Sequence, residues 1–336
     1  MMFFRVLAYI AGLTLGAAYA DTLPERIVAT PHGLQAHLIK GEFADLEAIA
    51  SDYRASGARL SDGTFALETY YEVLDRIKES CGPCGGMPTE YTFEEKRVVF
   101  DRWISAYPNS VTPKIGLAGL WKVYAWVGRG HGFAFDTTQD QFVVFTERLK
   151  RSENLLRNLD HAADPYIYEL EMESSLAAND PRAALDTIYV DAVRAFPAYE
   201  NYADRRYEYL TERWFGRPGE ARDFLKSLLS DSNDVESLRR FFRTAGVAIS
   251  MNPDYAHAFE VAGADYPQIA RAFSKLAVPS GPPPFAMNAM MYYATAAHDK
   301  KAVVLLSQKI GGNLYTRIWR NKTVFDGVVS WAQTPL

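Results

Sequence analysis

The two cysteines of this 336-residue chain, Cys81 and Cys84, are the side chains with the clearest potential for chemistry. Their spacing brings the thiols close enough to form a disulfide or to exchange one with another protein. Exchange requires a thiolate, which the positive N-terminal end of a helix stabilises. In this sequence a predicted helix comes before Cys81, and two glycines and a proline follow Cys84. The first thiol is therefore expected near the negative end of a helix, where a thiolate is disfavoured.

The sequence Cys81-Gly82-Pro83-Cys84 resembles the redox motif of thioredoxins, which follows a buried strand and opens a helix. Because the predicted helix polarity is reversed here, we predict a structural disulfide between Cys81 and Cys84. A periplasmic thiol–disulfide enzyme is the alternative. Free thiols or a metal site are less favoured, since two cysteines alone make a poor zinc site.

Two further motifs with catalytic associations are incomplete. Glu173-Ser174 resembles the start of the catalytic motif of lytic transglycosylases. Glu173 lies in the middle of a predicted helix, however, one turn from Glu169, and this spacing predicts a solvated helix face. The glycine-rich stretch 128–132 lacks the preceding strand that a phosphate-binding loop requires, so it predicts a connection between helices.

The six histidines are scattered along the chain. Neither His-Glu-x-x-His nor Gly-x-Ser-x-Gly, the patterns of zinc proteases and serine hydrolases, occurs in the sequence. We therefore predict no metal site, no cofactor and a function without catalysis.

Two stripes of residues recur at spacings of 4, 3 and 4 in the helix predicted from Pro197 to Phe215, so each stripe follows one helix face. The first stripe is largely apolar and predicts a core-facing side: Ala203, Tyr207, Leu210 and Trp214. The second combines aromatic rings with guanidinium donors, as peptide- and carboxylate-binding surfaces do: Tyr202, Arg206, Tyr209 and Arg213. The structural alternative for the second stripe is a cover over the edge of the core.

These stripes lie within residues 164–229, where prolines open four predicted helices. Proline is tolerated at a first helical position because the N–H there has no intrahelical partner. The predicted helices are Pro165–Ala178, Pro181–Ala195, Pro197–Phe215 and Pro218–Leu229. Asp164 and Asp180 are predicted N-caps, and Gly216 is a predicted helix stop. Pro165 and Pro197 lie 32 residues apart, close to the tetratricopeptide period of about 34.

Helical periodicity covers the rest of the chain as well. Thr92 and Glu95 form a capping box, and Thr112-Pro113 marks another helix start. No segment alternates apolar and polar residues over a length that predicts a strand. We therefore predict an all-α fold, an α-solenoid of stacked antiparallel helix pairs that is tetratricopeptide-like. Residues 21–336 are predicted to form one repeat-like domain, with sub-halves at 21–160 and 161–336.

The N-terminus has the three parts of a secretory signal peptide: Arg5, an apolar run from Val6 to Ala18, and Ala18-Tyr19-Ala20. The run is shorter than the roughly 18 residues that a membrane anchor requires. We predict that residues 1–20 are a signal peptide, that cleavage follows Ala20, and that the protein is periplasmic or secreted. A second uncharged stretch, 276–297, contains four prolines, so no membrane span is expected after cleavage.

The composition indicates a globular chain with ample core, because 48% of the residues are hydrophobic. The chain has 36 basic and 41 acidic side chains and a net charge of −5, without basic blocks. This balance gives no electrostatic reason to expect nucleic acid as a partner.

Several short motifs resemble those of an uncharacterised bacterial family of exported tetratricopeptide-like helical proteins. The motifs are Gly41-Glu42-Phe43-Ala44-Asp45-Leu46, Asp62-Gly63, Arg213-Trp214-Phe215-Gly216, Pro218-Gly219-Glu220, Ile310-Gly311 and Trp331-Ala332. The resemblance spans most of the mature chain and implies helical architecture, and the family brings no known activity with it.

The function predicted from these observations is that of an exported, non-catalytic helical-repeat protein, which binds a protein or peptide partner in the cell envelope. Tyr202, Arg206, Tyr209 and Arg213 are the predicted binding residues. The alternative remains a periplasmic thiol–disulfide enzyme that acts through Cys81 and Cys84.

Overall fold

A computed structural model describes residues 30–78, 91–130, 136–230, 234–276 and 281–335. Within these ranges the regular structure consists of 17 α-helices and two short 3-10 turns, with no β-strand. The prediction of an all-α fold is therefore confirmed for the described residues. No helix in these ranges is long and apolar enough to cross a membrane.

The helices belong to two compact units. The N-terminal unit comprises the described residues of 30–58 and 65–196. Its helices are α1 (Pro31–Lys40), α2 (Phe43–Ser56), α3 (Ala66–Leu74), α4 (Phe93–Ala106), α5 (Thr112–Arg129), α6 (Gln139–Leu156), α7 (Tyr166–Ala178) and α8 (Arg182–Ala195).

The C-terminal unit comprises residues 59–64 and the described residues of 197–335. Its helices are α9 (Asn201–Tyr209), α10 (Glu220–Ser230), α11 (Val235–Met251), α12 (Ala258–Ala262), α13 (Tyr266–Lys275), α14 (Pro284–Ala296), α15 (Lys300–Ile310), α16 (Thr316–Trp319) and α17 (Lys322–Gln333).

Local sequence signals set the ends of several helices, and two of these ends were predicted. The Thr92 hydroxyl accepts the Glu95 N–H, and the Glu95 carboxylate accepts the Thr92 N–H at 2.6 Å, which completes the capping box of α4. Helix α5 begins at Thr112-Pro113. Helix α2 ends at Gly57, whose φ of 60° is in the left-handed region that glycine adopts without strain.

The helix predicted from Pro197 to Phe215 is shorter in the structure, because α9 ends at Tyr209. The chain then turns back on itself, with the Phe215 N–H donating to the Tyr209 carbonyl at 3.0 Å. A Cβ at Gly216 would lie 1.7 Å from the Leu210 carbonyl oxygen, so this close turn requires glycine. Gly216 closes the turn, and the helix has ended a full turn or more before it.

The boundary between the two units follows Phe196, whereas the sequence predicted sub-halves that meet at residue 160. The reason is a buried network that ties the start of α7 to α2 and α3. Asp164 is fully buried and accepts hydrogen bonds from Arg54 at 2.9 Å and from the Tyr71 hydroxyl at 2.6 Å. Its other carboxylate oxygen accepts the Tyr166 N–H at 2.8 Å, as expected of the predicted cap.

Asp180, the second predicted N-cap, does not cap a helix. Its carboxylate accepts the Ser175 hydroxyl at 2.7 Å, and α8 begins without a side-chain cap. The acid therefore closes the end of α7 instead of starting α8.

The core of the C-terminal unit is organised by a buried amide on α14. The Asn288 side-chain oxygen accepts the Trp319 indole N–H at 2.7 Å and the Tyr315 N–H at 3.2 Å. Its amide nitrogen donates to the carbonyls of Pro284 and Asn313. Because the Asn288 side chain is fully buried and finds these partners within the protein, the amide fixes how α16 joins α14.

Candidate functional site

The predicted stripe on α9 is divided between the core and the surface. Tyr202 and Tyr209 are fully buried, as are their apolar neighbours Ala203 and Leu210. Arg206 is half-buried and lies over the Phe224 ring, with its guanidinium carbon 5.2 Å from the ring centroid.

Arg213 is exposed, but it lies in the turn after α9 and not on the helix. The four side chains therefore do not form one surface, and the geometry favours the structural alternative for Tyr202 and Tyr209. Binding by Arg206 or Arg213 stays a prediction.

Cys81 and Cys84 lie outside the described residues, so their disulfide and the redox alternative also stay predictions. His131, within the glycine-rich stretch, lies outside them as well. Within α5, Gly128 has a packing role: a Cβ there would lie 2.8 Å from both Val144 and Arg148 of α6. The absence of a side chain at Gly128 thus lets α6 approach closely.

Glu173 is not on a solvated face, contrary to the sequence interpretation. Its side chain is 18% exposed and forms an ion pair with Lys122 of α5. Glu169, one turn earlier, is only 1% exposed. The helix face that carries both acids packs against other helices of the N-terminal unit. The sequence interpretation was wrong because two acids one turn apart are typical of a solvated face.

A buried acid and a buried lysine lie close to this ion pair. Asp75 follows α3 and packs against Gly119, where a Cβ would lie 3.1 Å from the carboxylate. Burial raises the pKa of Asp75 to about 6, against the opposing effect of Lys122 and Lys96.

Lys96 is fully buried, and its ammonium group donates to the Leu74 carbonyl at 3.0 Å. Burial lowers the pKa of Lys96 to about 7, although Asp75 acts in the other direction. Perturbed titration is typical of active sites, but also of structural charges. Since both side chains are closed off from solvent, a substrate could reach them only if helices separated, and we assign them a structural role.

A partly open cluster of arginines and aromatic rings lies elsewhere in the N-terminal unit, on α5 and α6 with a contribution from α4. We call it the α5–α6 aromatic surface, and it consists of Phe93, Trp121, Tyr124, Arg148 and Arg151. Phe93 is buried and stacks on the Tyr124 ring with centroids 3.9 Å apart. Trp121 meets the same phenyl ring edge-on at 4.6 Å. The three rings therefore form one rigid platform.

The two arginines lie over this platform. The guanidinium carbon of Arg148 is 3.5 Å from the centroid of Tyr124, and its Nη1 donates to the Tyr124 carbonyl at 2.6 Å. Arg151, one turn further along α6, lies 4.8 Å from the centroid of Trp121 and is exposed. Stacking holds both cations in place without a carboxylate from the described part of the chain.

Hydrogen-bonding capacity remains available on the α5–α6 aromatic surface. Within the described ranges, no carboxylate lies within 4.0 Å of the Arg148 or Arg151 nitrogens. The Trp121 indole N–H and the Tyr124 hydroxyl likewise donate to no group of the described chain. Trp121 and Tyr124 are both half-buried, so their polar edges reach solvent. The surface thus offers donors in excess of acceptors.

Sequence reasoning missed this surface, although a signal was present. Trp121 and Tyr124 are three residues apart on one helix, and Arg148 and Arg151 repeat that spacing on the next. Only the contact between the two helices reveals that the pairs meet.

Comparisons with known proteins add no family. No family model matches the chain, and neither a curated protein nor a solved structure matches it. The resemblance to exported tetratricopeptide-like proteins therefore stays a prediction.

Proposed function

We propose that this protein is a non-catalytic binding protein, which holds an acidic polypeptide segment on the α5–α6 aromatic surface. One observation carries the proposal: Arg148 and Arg151 are held over aromatic rings, and no carboxylate of the described chain pairs with them. Guanidinium groups bind carboxylates with two parallel hydrogen bonds, and a ligand would supply the missing acceptors.

The aromatic rings fit the same ligand. Trp121 and Tyr124 would be ordered by a ligand at low cost in conformational entropy, because each side chain has few rotatable bonds and already packs against Phe93 and an arginine. Their indole N–H and hydroxyl would donate to backbone carbonyls of an extended segment. A polypeptide with spaced carboxylates satisfies both kinds of donor, whereas a small inorganic anion on the arginines would leave the indole N–H and the hydroxyl without an acceptor.

The proposed function includes export and a repeat-like arrangement of the helices. A chain with the signal sequence 1–20 would meet its partner in the periplasm or outside the cell. The tetratricopeptide-like stacking of helix pairs is supported by two consecutive helices, α7 and α8, whose ends lie within one residue of the predicted ends and which are separated by a short connection. Mass spectrometry of the exported protein should give Asp21 as its first residue, and a product that retains Met1 would contradict export with cleavage.

The direct test of ligand class is an array of acidic 12-residue peptides, each paired with a copy in which Asn and Gln replace Asp and Glu. We expect the protein to bind a subset of the acidic peptides and to bind their amide copies at least about tenfold more weakly, since each charge-assisted hydrogen bond contributes roughly 1.5–3 kcal/mol. Equal binding of both versions, or binding to neither, would contradict the proposal.

A further inference from the structure

The connection between α1 and α2 brings three potential metal ligands together. Helix α1 ends at Gly41, whose φ of 75° lets the chain reverse within two residues. The Glu42 N–H donates back to the His37 carbonyl at 2.9 Å, which fixes the turn. His37 in the last turn of α1 therefore faces Glu42 and Asp45 at the start of α2.

The ligand atoms are close enough to share one ion. His37 Nδ1 lies 2.7 Å from Glu42 Oε2 and 3.6 Å from Asp45 Oδ2, and the three atoms lie within 4.8 Å of one another. Zinc bonds nitrogen and oxygen ligands at about 2.0–2.2 Å, so neighbouring ligand atoms in a tetrahedral site are roughly 3.4 Å apart. A small rotation of the Glu42 side chain would open its contact with His37 to that distance.

The charge balance also leaves room for a cation. Among the described residues, His37 is the only basic side chain with a nitrogen within 4.0 Å of either carboxylate. The guanidinium of Arg102 lies beside Gly41, but it makes no ion pair with Glu42 or Asp45. A divalent ion on a neutral imidazole would balance the two carboxylates.

The other histidine–carboxylate pairs of the described chain provide an internal comparison. His161 pairs with Glu171 at 2.8 Å, and His257 pairs with Asp254 at 3.0 Å. Each has a single acid, whereas the group around His37 is the one place in the described ranges where three ligand-bearing side chains converge. An ordinary surface ion pair requires only one acid, here Glu42. The presence of Asp45 as a third potential ligand distinguishes the group around His37 from the other two pairs.

We propose that His37, Glu42 and Asp45 bind a divalent transition-metal ion, with Zn²⁺ as the best match, and that water completes the coordination. The nitrogen ligand favours Zn²⁺, Cu²⁺ or Ni²⁺ over Ca²⁺ and Mg²⁺, which prefer all-oxygen sites. Side-chain exposures of 32%, 41% and 64% leave the ion accessible to solvent. The ion would fasten α1 to α2 and thereby stabilise the N-terminal end of the fold, independently of peptide binding.

The test is calorimetric titration of the full exported chain, purified without a polyhistidine tag, with ZnCl₂ and separately with CaCl₂. We expect one Zn²⁺ per chain, a higher melting temperature in its presence, and no comparable binding of Ca²⁺. His37→Gln should weaken Zn²⁺ binding by more than about tenfold, since loss of even an indirect supporting contact costs that much. The matched control, His257→Gln, should bind as the unchanged protein does.

Asp45→Asn keeps the test decisive if His37→Gln proves unstable, because Asp45 is the most exposed of the three ligands. This variant should also lose affinity while retaining helicity in circular dichroism. The proposal is overturned if the unchanged chain binds no Zn²⁺, or if His37→Gln and Asp45→Asn both bind it as tightly as the His257→Gln control does.

Discussion

In the C-terminal unit, the guanidinium of Arg243 donates to the Asp204 carboxylate at 3.0 Å, and both side chains are at most 3% exposed. Arg59 and Glu200 repeat this arrangement at 2.8 Å. In the N-terminal unit, by contrast, half-buried Arg148 and exposed Arg151 lie over aromatic rings, and no carboxylate of the described residues pairs with them. Arg243 and Arg59 pair with carboxylates of the fold, whereas Arg148 and Arg151 keep donors available for a ligand, apart from the Arg148 Nη1 that donates to the Tyr124 carbonyl.

The difference shows why a pattern of arginine and tyrosine does not by itself identify a binding surface. Helix α9 has such a pattern, but its tyrosines are buried. The carboxylate partners of Arg243 and Arg59 lie far away in sequence: Asp204 is 39 residues from Arg243, and Glu200 is 141 residues from Arg59. Whether an arginine is available for a ligand therefore depends on contacts between distant segments.

The largest expected effect comes from Arg243→Ala. Removal of this guanidinium leaves the Asp204 carboxylate buried, with the weaker contact to Arg317 at 3.4 Å as its remaining ion pair. We expect the free energy of unfolding to fall by about 3–5 kcal/mol in urea titration, the range measured for broken buried pairs. Arg151→Ala is the control and should lose less than about 0.5 kcal/mol. Similar losses in the two variants would remove the distinction between the two kinds of arginine.

A smaller effect is expected from the buried acid beneath the N-terminal unit's helices. The pKa of Asp75 is raised from 3.8 to about 6. Between these two pH values the folded state therefore holds a proton that the unfolded state has released. The contribution of Asp75 to the free energy of unfolding should therefore be greatest below about pH 4. It should fall as the pH rises from about 4 to 6. The loss is about 3 kcal/mol if the unfolded pKa is ordinary.

The measurement for Asp75 is the pH dependence of unfolding in urea, compared with Asp75→Asn. The variant carries no charge at this position, so it should lack this fall and should be the more stable protein at pH 7. An identical pH dependence in both proteins would show that burial does not perturb the titration of Asp75. It would also weaken the distinction between charged side chains that are buried and those on the partly open α5–α6 aromatic surface.

The sequence predicted the helices well where local signals decide. The capping box at Thr92 and Glu95 and the helix start at Thr112-Pro113 are both present. These features depend on residues within one turn of each other. The early end of α9 was missed because it depends on a tight turn in which Gly216 lies against Leu210.

The candidate site was missed for a different reason. Trp121 and Tyr124 look like core residues of one helix, and Arg148 looks like a solvated residue of another. Their contact requires the close approach of α5 and α6 that Gly128 permits. Glu173 was misjudged for the same reason, because its partner Lys122 is 51 residues away.

Replacement of the two cysteines distinguishes a binding protein from a thiol–disulfide enzyme. Replacement of Cys81 and Cys84 by serine should lower the free energy of unfolding by about 2 kcal/mol, the chain-entropy value for so short a loop, and should leave peptide binding unchanged. Melting curves of the oxidised proteins measure the first effect. Rapid reduction of insulin by the unchanged protein, abolished in the serine variant, would instead support the thiol–disulfide enzyme.

The most direct test of the central claim is a pair of charge reversals, Arg151→Glu on the α5–α6 aromatic surface and Arg213→Glu in the turn after α9. Both side chains are exposed, so both variants should melt within a few degrees of the unchanged protein. Fluorescence anisotropy with the tightest-binding acidic peptide should give a roughly tenfold to hundredfold weaker affinity for Arg151→Glu and a change of less than about twofold for Arg213→Glu. Equal losses, or a loss confined to Arg213→Glu, would contradict the assignment of binding to the α5–α6 aromatic surface.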